Sequence, residues 1–223
     1  MGHAWTRRCN RCYPSAMLAT AALILDWLGI VVFAITGGLV ASRKEMDIVG
    51  FALLASVTGI GGGTIRDLLL GLTPVFWVRT PAYLLVCVLA GVVTFFLAHH
   101  FSARMRLLLW LDAVGLAVFT VTGARVAMDS GAGATIAIAM GVATATFGGV
   151  IRDVLGAESP VILRREIYVT AALAGAMAYV GLRSYAGLGD VAIAIGFAVA
   201  LAIRAAALAY DLSLPRYRAT GTG

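Results

Sequence analysis

The stretch "GIGGGTIRDLLLG", residues 59–71, lies inside an apolar segment that runs on well past both of its ends. Three consecutive glycines are poor in a helix interior, and an Arg-Asp pair is costly in hydrocarbon. The chain makes the same arrangement again at residues 144–156, "TATFGGVIRDVLG". A shift of 86 positions lays the two over each other without a gap for about fifty residues. In that register "LDWLGIVVFAITGGLVA" from Leu25 falls on "LDAVGLAVFTVTGARVA" from Leu111. Asp26 meets Asp112, Gly29 meets Gly115, Phe33 meets Phe119 and Thr36 meets Thr122. Thr58 meets Thr144, Arg66-Asp67 meets Arg152-Asp153, and Pro74 meets Pro160. Chance likeness between apolar helices does not align charges, glycines and a proline in one register.

Composition sets the solvent. The chain has 223 residues, of which 61% are hydrophobic and 13% charged, and its mean hydropathy is +0.95. A soluble domain carries about 25% charged residues. This chain has too few to cover a water-facing surface, so it reads as an integral membrane protein in contact with lipid. The period-2 alternation of a β-barrel is absent, which leaves an all-α bundle. The net charge of +6 is not a nucleic-acid signal, since no basic run interleaves with aromatics; its residues belong to loops that fix orientation, or to a pore.

A helix needs about 20 apolar residues to cross the bilayer. Seven spans are expected, at 17–41, 48–71, 80–98, 106–128, 133–156, 166–184 and 188–212. The organisation is then an N-terminal tail 1–16, a first three-helix repeat 17–98, a linker 99–105, a second repeat 106–184, a seventh helix 188–212 and a tail 213–223. Arg7, Arg8 and Arg11 before an apolar run mimic a signal peptide, but the run continues past Asp26 to Ala41, too long for one. Translation starts at Met1 or Met17. Three spans is an odd number, so the second repeat enters from the opposite side, giving an inverted repeat whose pathway lies at the repeat interface. Arg43, Lys44, Arg104, Arg106, Arg164, Arg165, Arg216 and Arg218 collect on one side. Arg79 and Arg183 collect on the other, with the tail arginines. The first side is expected to be cytoplasmic, with the N-terminus outside and the C-terminus inside.

The site residues follow from cost. Gly61, Gly62 and Gly63 in the second span, and Gly148 and Gly149 in the fifth, are read as kinks whose freed backbone groups face protein or water. The competing reading is close helix packing through small-x-x-x-small spacing, as in Gly59-x-x-x-Gly63. Arg66 and Arg152 are expected to face a polar cavity, the alternative being snorkelling to the interface. Thr64-x-x-Asp67 has the spacing of an N-cap for a half-helix restarting after the glycines; Asp153 serves its own first turn more weakly. The sharper alternative pairs Arg66 with Asp153 and Arg152 with Asp67 across the repeats. Asp26 and Asp112 read as interfacial caps or ion attractors at a mouth. Thr36, Thr58, Thr122 and Thr144 are pore-lining candidates, although a helical Thr more often bonds its own backbone. His99 and His100 read as solvated, and Cys87 as packing. Cys9 and Cys12, with only His3 nearby, are too few for zinc. "GIGGGTIRD" lacks the G-K-[ST] ending of a phosphate loop. No nucleophile–base set converges, so an enzyme, a cofactor and a resident metal are not expected.

Two inverted three-helix repeats, a glycine-rich stretch followed by Arg-Asp in the second and fifth spans, and a seventh helix resemble the prokaryotic TRIC-type (trimeric intracellular cation) channels. The resemblance covers residues 20–212 and rests most on "GGGTIRD" and "FGGVIRD". It implies a homotrimer in the bacterial inner membrane, with one K⁺- and Na⁺-permeable pore per subunit lined by kinked second and fifth helices. Carried over by residue, Gly61, Gly62 and Gly63 match the first kink and Gly148 and Gly149 the second, where Phe147 replaces a glycine. Pore and gate residues would be Arg66, Arg152, Asp67, Asp153, Thr58 and Thr144. The same bacterial domain is associated with glycine uptake, so a secondary transporter of glycine or a similar zwitterion stays open.

Overall fold

The computed structural model describes residues 16–100, 104–158, 160, 167–186 and 189–212. The N-terminal Cys9, Cys12 and His3, and the loop and tail arginines Arg164, Arg165, Arg216 and Arg218, lie outside them. Among the described residues all regular structure is helical: α1 (Ala16–Arg43), α2 (Ile48–Leu69), α3 (Phe76–Arg79), α4 (Ala82–Leu97), α5 (Arg104–Asp129), α6 (Ala134–Leu155), α7 (Val169–Ala186) and α8 (Gly189–Ala209), with a 3₁₀ turn at Ala98–His100. The chain is an all-α membrane protein. Six stretches are long and apolar enough to cross a bilayer, in α1, α2, α4, α5, α6 and α8. The seventh expected span corresponds to α7, which falls outside that set: its sequence is mostly small residues and carries Arg183 and Ser184 near its end. The short α3 inside the "TPVFWVRT" connector was not anticipated.

Helix ends repeat as the sequence does. Asp47 caps α2 by accepting from the Gly50 N–H at 2.7 Å. At the C-terminus of α2 the Leu72 N–H reaches back to the Asp67 carbonyl at 2.8 Å, with Gly71 left-handed at φ 67°. This is the closure expected of a glycine just past a helix. α6 ends the same way, Glu158 N–H to Asp153 carbonyl at 2.9 Å, but Ala157 holds the left-handed position at φ 49°.

The helices are not unwound at the glycines: α2 is helical through Gly61, Gly62 and Gly63, and α6 through Gly148 and Gly149. No half-helix restarts, so Asp67 is not an N-cap; it sits in the last turn of α2. The glycines also serve contact. A Cβ on Gly62 would strike the Thr144 carbonyl, and one on Gly148 would lie 2.7 Å from the Thr58 carbonyl. α2 and α6 therefore cross backbone to backbone. A Gly in a helix costs about 1 kcal/mol relative to Ala, and here the close approach offsets it with dispersion contacts.

These contacts map onto themselves when the halves are exchanged. Gly62 with Thr144 and Gly148 with Thr58 are one pair under the 86-residue shift. Gly37 against the Leu54 carbonyl and Thr58, and Gly123 against the Met140 carbonyl and Thr144, are another. Gly29 packs on Val118 and Phe119, and Gly115 on Phe33. Phe33 and Phe119, equivalent residues, touch each other edge to face with centroids 4.9 Å apart. They sit in the main buried cluster with Ile30, Ala117 and Cys87.

Candidate functional site

Two polar clusters lie on either side of the Phe33–Phe119 contact. Asp26 of the first and Thr36 of the second are ten residues apart on α1, about 15 Å of helix rise. The first cluster surrounds an opening. A cavity of about 290 Å³ is lined by Asp26, Arg66, Asp67, Tyr83, Phe119 and Val126, among others, with Arg79 and Thr80 towards exposed surface. The end of α2 delivers Arg66, which remains 7% exposed. Its Nε and Nη2 donate to Asp67 Oδ1 at 2.9 and 2.7 Å. Asp67 Oδ2 accepts from the Phe76 N–H at 2.8 Å, tying the start of α3 to α2. The Arg66 guanidinium lies over the Phe76 ring at 5.7 Å. Trp27 stacks on Tyr83 behind this wall, with centroids 4.2 Å apart. Trp77 Nε1 donates to Thr64 Oγ1 at 3.0 Å, holding α3 down.

The second cluster is closed off from the surface. Arg152 is fully buried. Its Nε donates to Asp153 Oδ1 at 2.9 Å, and its Nη1 to Thr36 Oγ1 at 2.9 Å and to Asp112 Oδ1 at 3.0 Å. Asp112 is likewise buried, and Asp153 nearly so. Tyr168, just before α7, covers the cluster, and the Arg204 guanidinium of α8 lies 5.1 Å above its ring. A buried Arg-carboxylate set of this kind is held by charge-assisted hydrogen bonds at good geometry.

Each arginine thus binds the aspartate next to it in sequence. The pairing of Arg66 with Asp153 and of Arg152 with Asp67 is corrected: adjacent residues at the end of one helix reach each other without a partner helix having to present the acid. Thr58 and Thr144 are both buried and donate to the carbonyls of Leu54 and Met140 at 2.6 Å each. They sit at the α2–α6 crossing and do not line the cavity. Thr36 does join a cluster, by accepting from Arg152. Gly61 approaches the tip of Ile151, Gly63 the Phe76 ring, and Gly149 the Tyr168 hydroxyl. Cys87 is buried against Gly59, and His99 and His100 are exposed.

Two members of these clusters, Arg204 and Tyr168, escape the sequence reading of the site. Asp26 and Asp112 read there as interfacial caps or ion attractors at a mouth; Asp26 lines the cavity, and the place of both beside Arg66 and Arg152 follows from α1 and α5 packing on the ends of α2 and α6. Arg204 carries a legible signal, a lone Arg in an apolar helix. Tyr168 carries none.

Comparison with known proteins bears on these clusters. The family model described as "Glycine transporter" matches residues 23–99 and again residues 109–184, two segments whose starts are one repeat offset apart. A Vibrio cholerae "UPF0126 membrane protein" is 41% identical over 217 residues, covering 95% of this chain and 90% of that one. The Escherichia coli K12 "UPF0126 inner membrane protein YadS" is 43% identical over 198 residues, covering 86% of this chain and 94% of that one. A crystal structure of the TRIC trimeric intracellular cation channel orthologue from Rhodobacter sphaeroides superposes with a TM-score of 0.85. It is 62% identical, covering 86% of this chain and all of that one.

Proposed function

This chain belongs to the glycine-transporter family of membrane proteins, and on that footing we propose that it forms a passive channel for monovalent cations, K⁺ and Na⁺. The observation that carries the reading is its 62% identity to a trimeric cation channel across 86% of the chain. The first cluster fits the chemistry. An arginine in a cation path would repel the ion, but Arg66 is held on Asp67 by two hydrogen bonds. The pair contributes little net charge, and Asp26 supplies a carboxylate to the lumen. In this reading the assembly is a homotrimer with one pore in each subunit, embedded among the lipids of the inner membrane. Seven helices cross the bilayer as two inverted three-helix repeats and a last helix, with the N-terminus outside and the C-terminus cytoplasmic. Phe33 and Phe119 then lie on the in-plane axis and form an apolar septum of the kind that gates by excluding water. Bending of α2 and α6 at Gly61–Gly63 and Gly148–Gly149 is the motion assigned to opening. Arg66, Asp67, Arg152 and Asp153 flank the septum in pairs.

A second reading, uptake of glycine, is favoured by the family description and by one feature of the cavity. A zwitterion needs a cation to hold its carboxylate and an acid to hold its ammonium, and Arg66 and Asp26 line the same space. Purified protein in liposomes separates the two. A channel passes K⁺ down its gradient at a rate that glycine leaves unchanged; a transporter gives glycine counterflow and little K⁺ leak. The mass of the detergent-solubilised complex, corrected for detergent, is expected to be three subunits. A monomer in mild detergent at every concentration tried argues against the trimer.

A further inference from the structure

Asp112 and Thr36 hold one charged nitrogen between them. Arg152 Nη1 donates to Asp112 Oδ1 at 3.0 Å and to Thr36 Oγ1 at 2.9 Å. Under the 86-residue shift this acid–hydroxyl pair corresponds to Asp26 and Thr122, and Arg152 corresponds to Arg66. Arg66 does something else: both of its hydrogen bonds go to Asp67 Oδ1.

Asp26 lines the open cavity, and the Thr122 hydroxyl lies beside its carboxylate. Phe119 and Val126, three residues before and four residues after Thr122 on α5, line the same cavity. The Thr122 side chain therefore shares the helix face turned towards that space. Thr122 is only 4% exposed, and its Oγ1 has no hydrogen-bond partner. A buried hydroxyl without a partner is costly and calls for a reason. Its counterpart Thr36 has one, the Arg152 guanidinium.

Nearby charge leaves Asp26 without a direct counter-ion. The two guanidinium groups that act on it are each bound to another acid. Arg66 holds Asp67 at 2.7 Å, and Arg125 holds Asp129 at 3.5 Å, an acid it shares with Arg183. Arg79, on the exposed side, turns its Nε to the Pro74 carbonyl at 2.6 Å. Among the described residues Asp26 forms no ion pair.

The Arg152 contacts give the size. Oxygens 2.9 and 3.0 Å from a singly charged nitrogen suit K⁺ or an ammonium group. Na⁺ draws its oxygens closer, and Mg²⁺ and Ca²⁺ hold theirs at about 2.0–2.6 Å.

We propose that Asp26 and Thr122 bind a monovalent cation of the size of K⁺ or an ammonium group, at the place that Arg152 Nη1 takes in the other repeat. Water in the cavity completes the ion's shell. As a step in conduction the site rests on the channel reading above; binding itself does not.

The test places thallous ion, a heavy substitute for K⁺, in crystals of the full chain and reads its anomalous scattering. A peak is expected against the Asp26 carboxylate and the Thr122 hydroxyl. Excess K⁺ should remove it, and N-methyl-D-glucamine at the same ionic strength should not. The rise of melting temperature with K⁺ in detergent supplies affinities. Asp26→Asn should weaken K⁺ binding roughly tenfold or more, and Thr122→Val by roughly three- to tenfold. Asp47→Asn, which keeps the cap on α2, should leave it unchanged. Both site variants should fold, because Asp26 has no ion pair to lose and Val fills the space of Thr122. Na⁺ should bind more weakly than K⁺; equal binding overturns the assigned size. No peak at Asp26, or K⁺ binding that survives both Asp26→Asn and Thr122→Val, overturns the site. Liposome flux and glycine competition identify the occupant. K⁺ flux that falls in Asp26→Asn, with a peak that glycine leaves in place, makes the site a step in conduction. A peak displaced by glycine, with no K⁺ flux in any protein, keeps the cation site and removes the channel reading.

Discussion

Arg66 and Arg152 occupy the same place in two copies of one motif, and their neighbours make them different residues. Arg152 is buried and answers to Asp112, Asp153 and Thr36. Removing it takes the ion-pair partner from the buried Asp112 and one partner from Asp153, a change that costs about 3–5 kcal/mol. Arg66 borders a cavity, and water can reach Asp67 once the guanidinium is gone; Asp67 also keeps its bond from the Phe76 N–H. Arg66→Ala is therefore expected to cost no more than about 1–3 kcal/mol and to act mainly on conduction. Thermal unfolding of the two single variants in detergent, alongside single-channel recording, checks the order. A variant of Arg66 that melts as early as that of Arg152 would mean that the cavity does not solvate its side chains. The Arg-Asp doublet was legible in the sequence because charge in an apolar run is expensive wherever it falls. Which acid answers Arg152 from α5, and that Tyr168 closes over it, were not legible, since both depend on how α5 and α7 pack on the end of α6.

At the scale of the helix, the same glycines support two readings that sequence cannot separate. A run of glycines permits a break and equally permits a close crossing. The structure uses them for the crossing, and the backbone stays helical. Gly62 and its neighbour Gly61 then make a matched test. A methyl on Gly62 meets the Thr144 carbonyl, which cannot move without shifting α6. Gly62→Ala should lose about 1–3 kcal/mol through overpacking, more than the gain of about 1 kcal/mol in helix propensity. A methyl on Gly61 lies 3.1 Å from the flexible tip of Ile151. Gly61→Ala should be neutral or gain up to ~1 kcal/mol. Unfolding temperatures of the two proteins decide it: a Gly62→Ala protein that melts higher than the parent would show that the crossing is not what the glycine is for. Helix positions themselves were close to expectation, because apolar runs and their polar connectors are set by the bilayer. α3 was missed because four residues between two turns have no periodicity to read.

For the whole molecule, the duplication was the most legible feature, because an ungapped register of charges and glycines needs no structure to be seen. The asymmetry between the halves was not: Arg66 borders a cavity, whereas Arg152 is buried. Arg43 and Arg106 lie at the end of α1 and the start of α5, where Arg43 pairs with Glu158 at 2.9 Å, and Arg79 lines the open cavity. Basic loops stay in the cytoplasm, so the Arg43–Glu158 end should face the cytoplasm and the open cavity the outside. A reporter active only in the cytoplasm, fused after Tyr217, is expected to be active. The same reporter inserted in the Ser130–Gly131 turn should be silent, and a periplasmic reporter should give the reverse pattern at both sites. Activity at Ser130–Gly131 with silence after Tyr217 would turn the molecule over, putting the open cavity on the cytoplasmic side, and the cations waiting at its mouth would then be those of the cell.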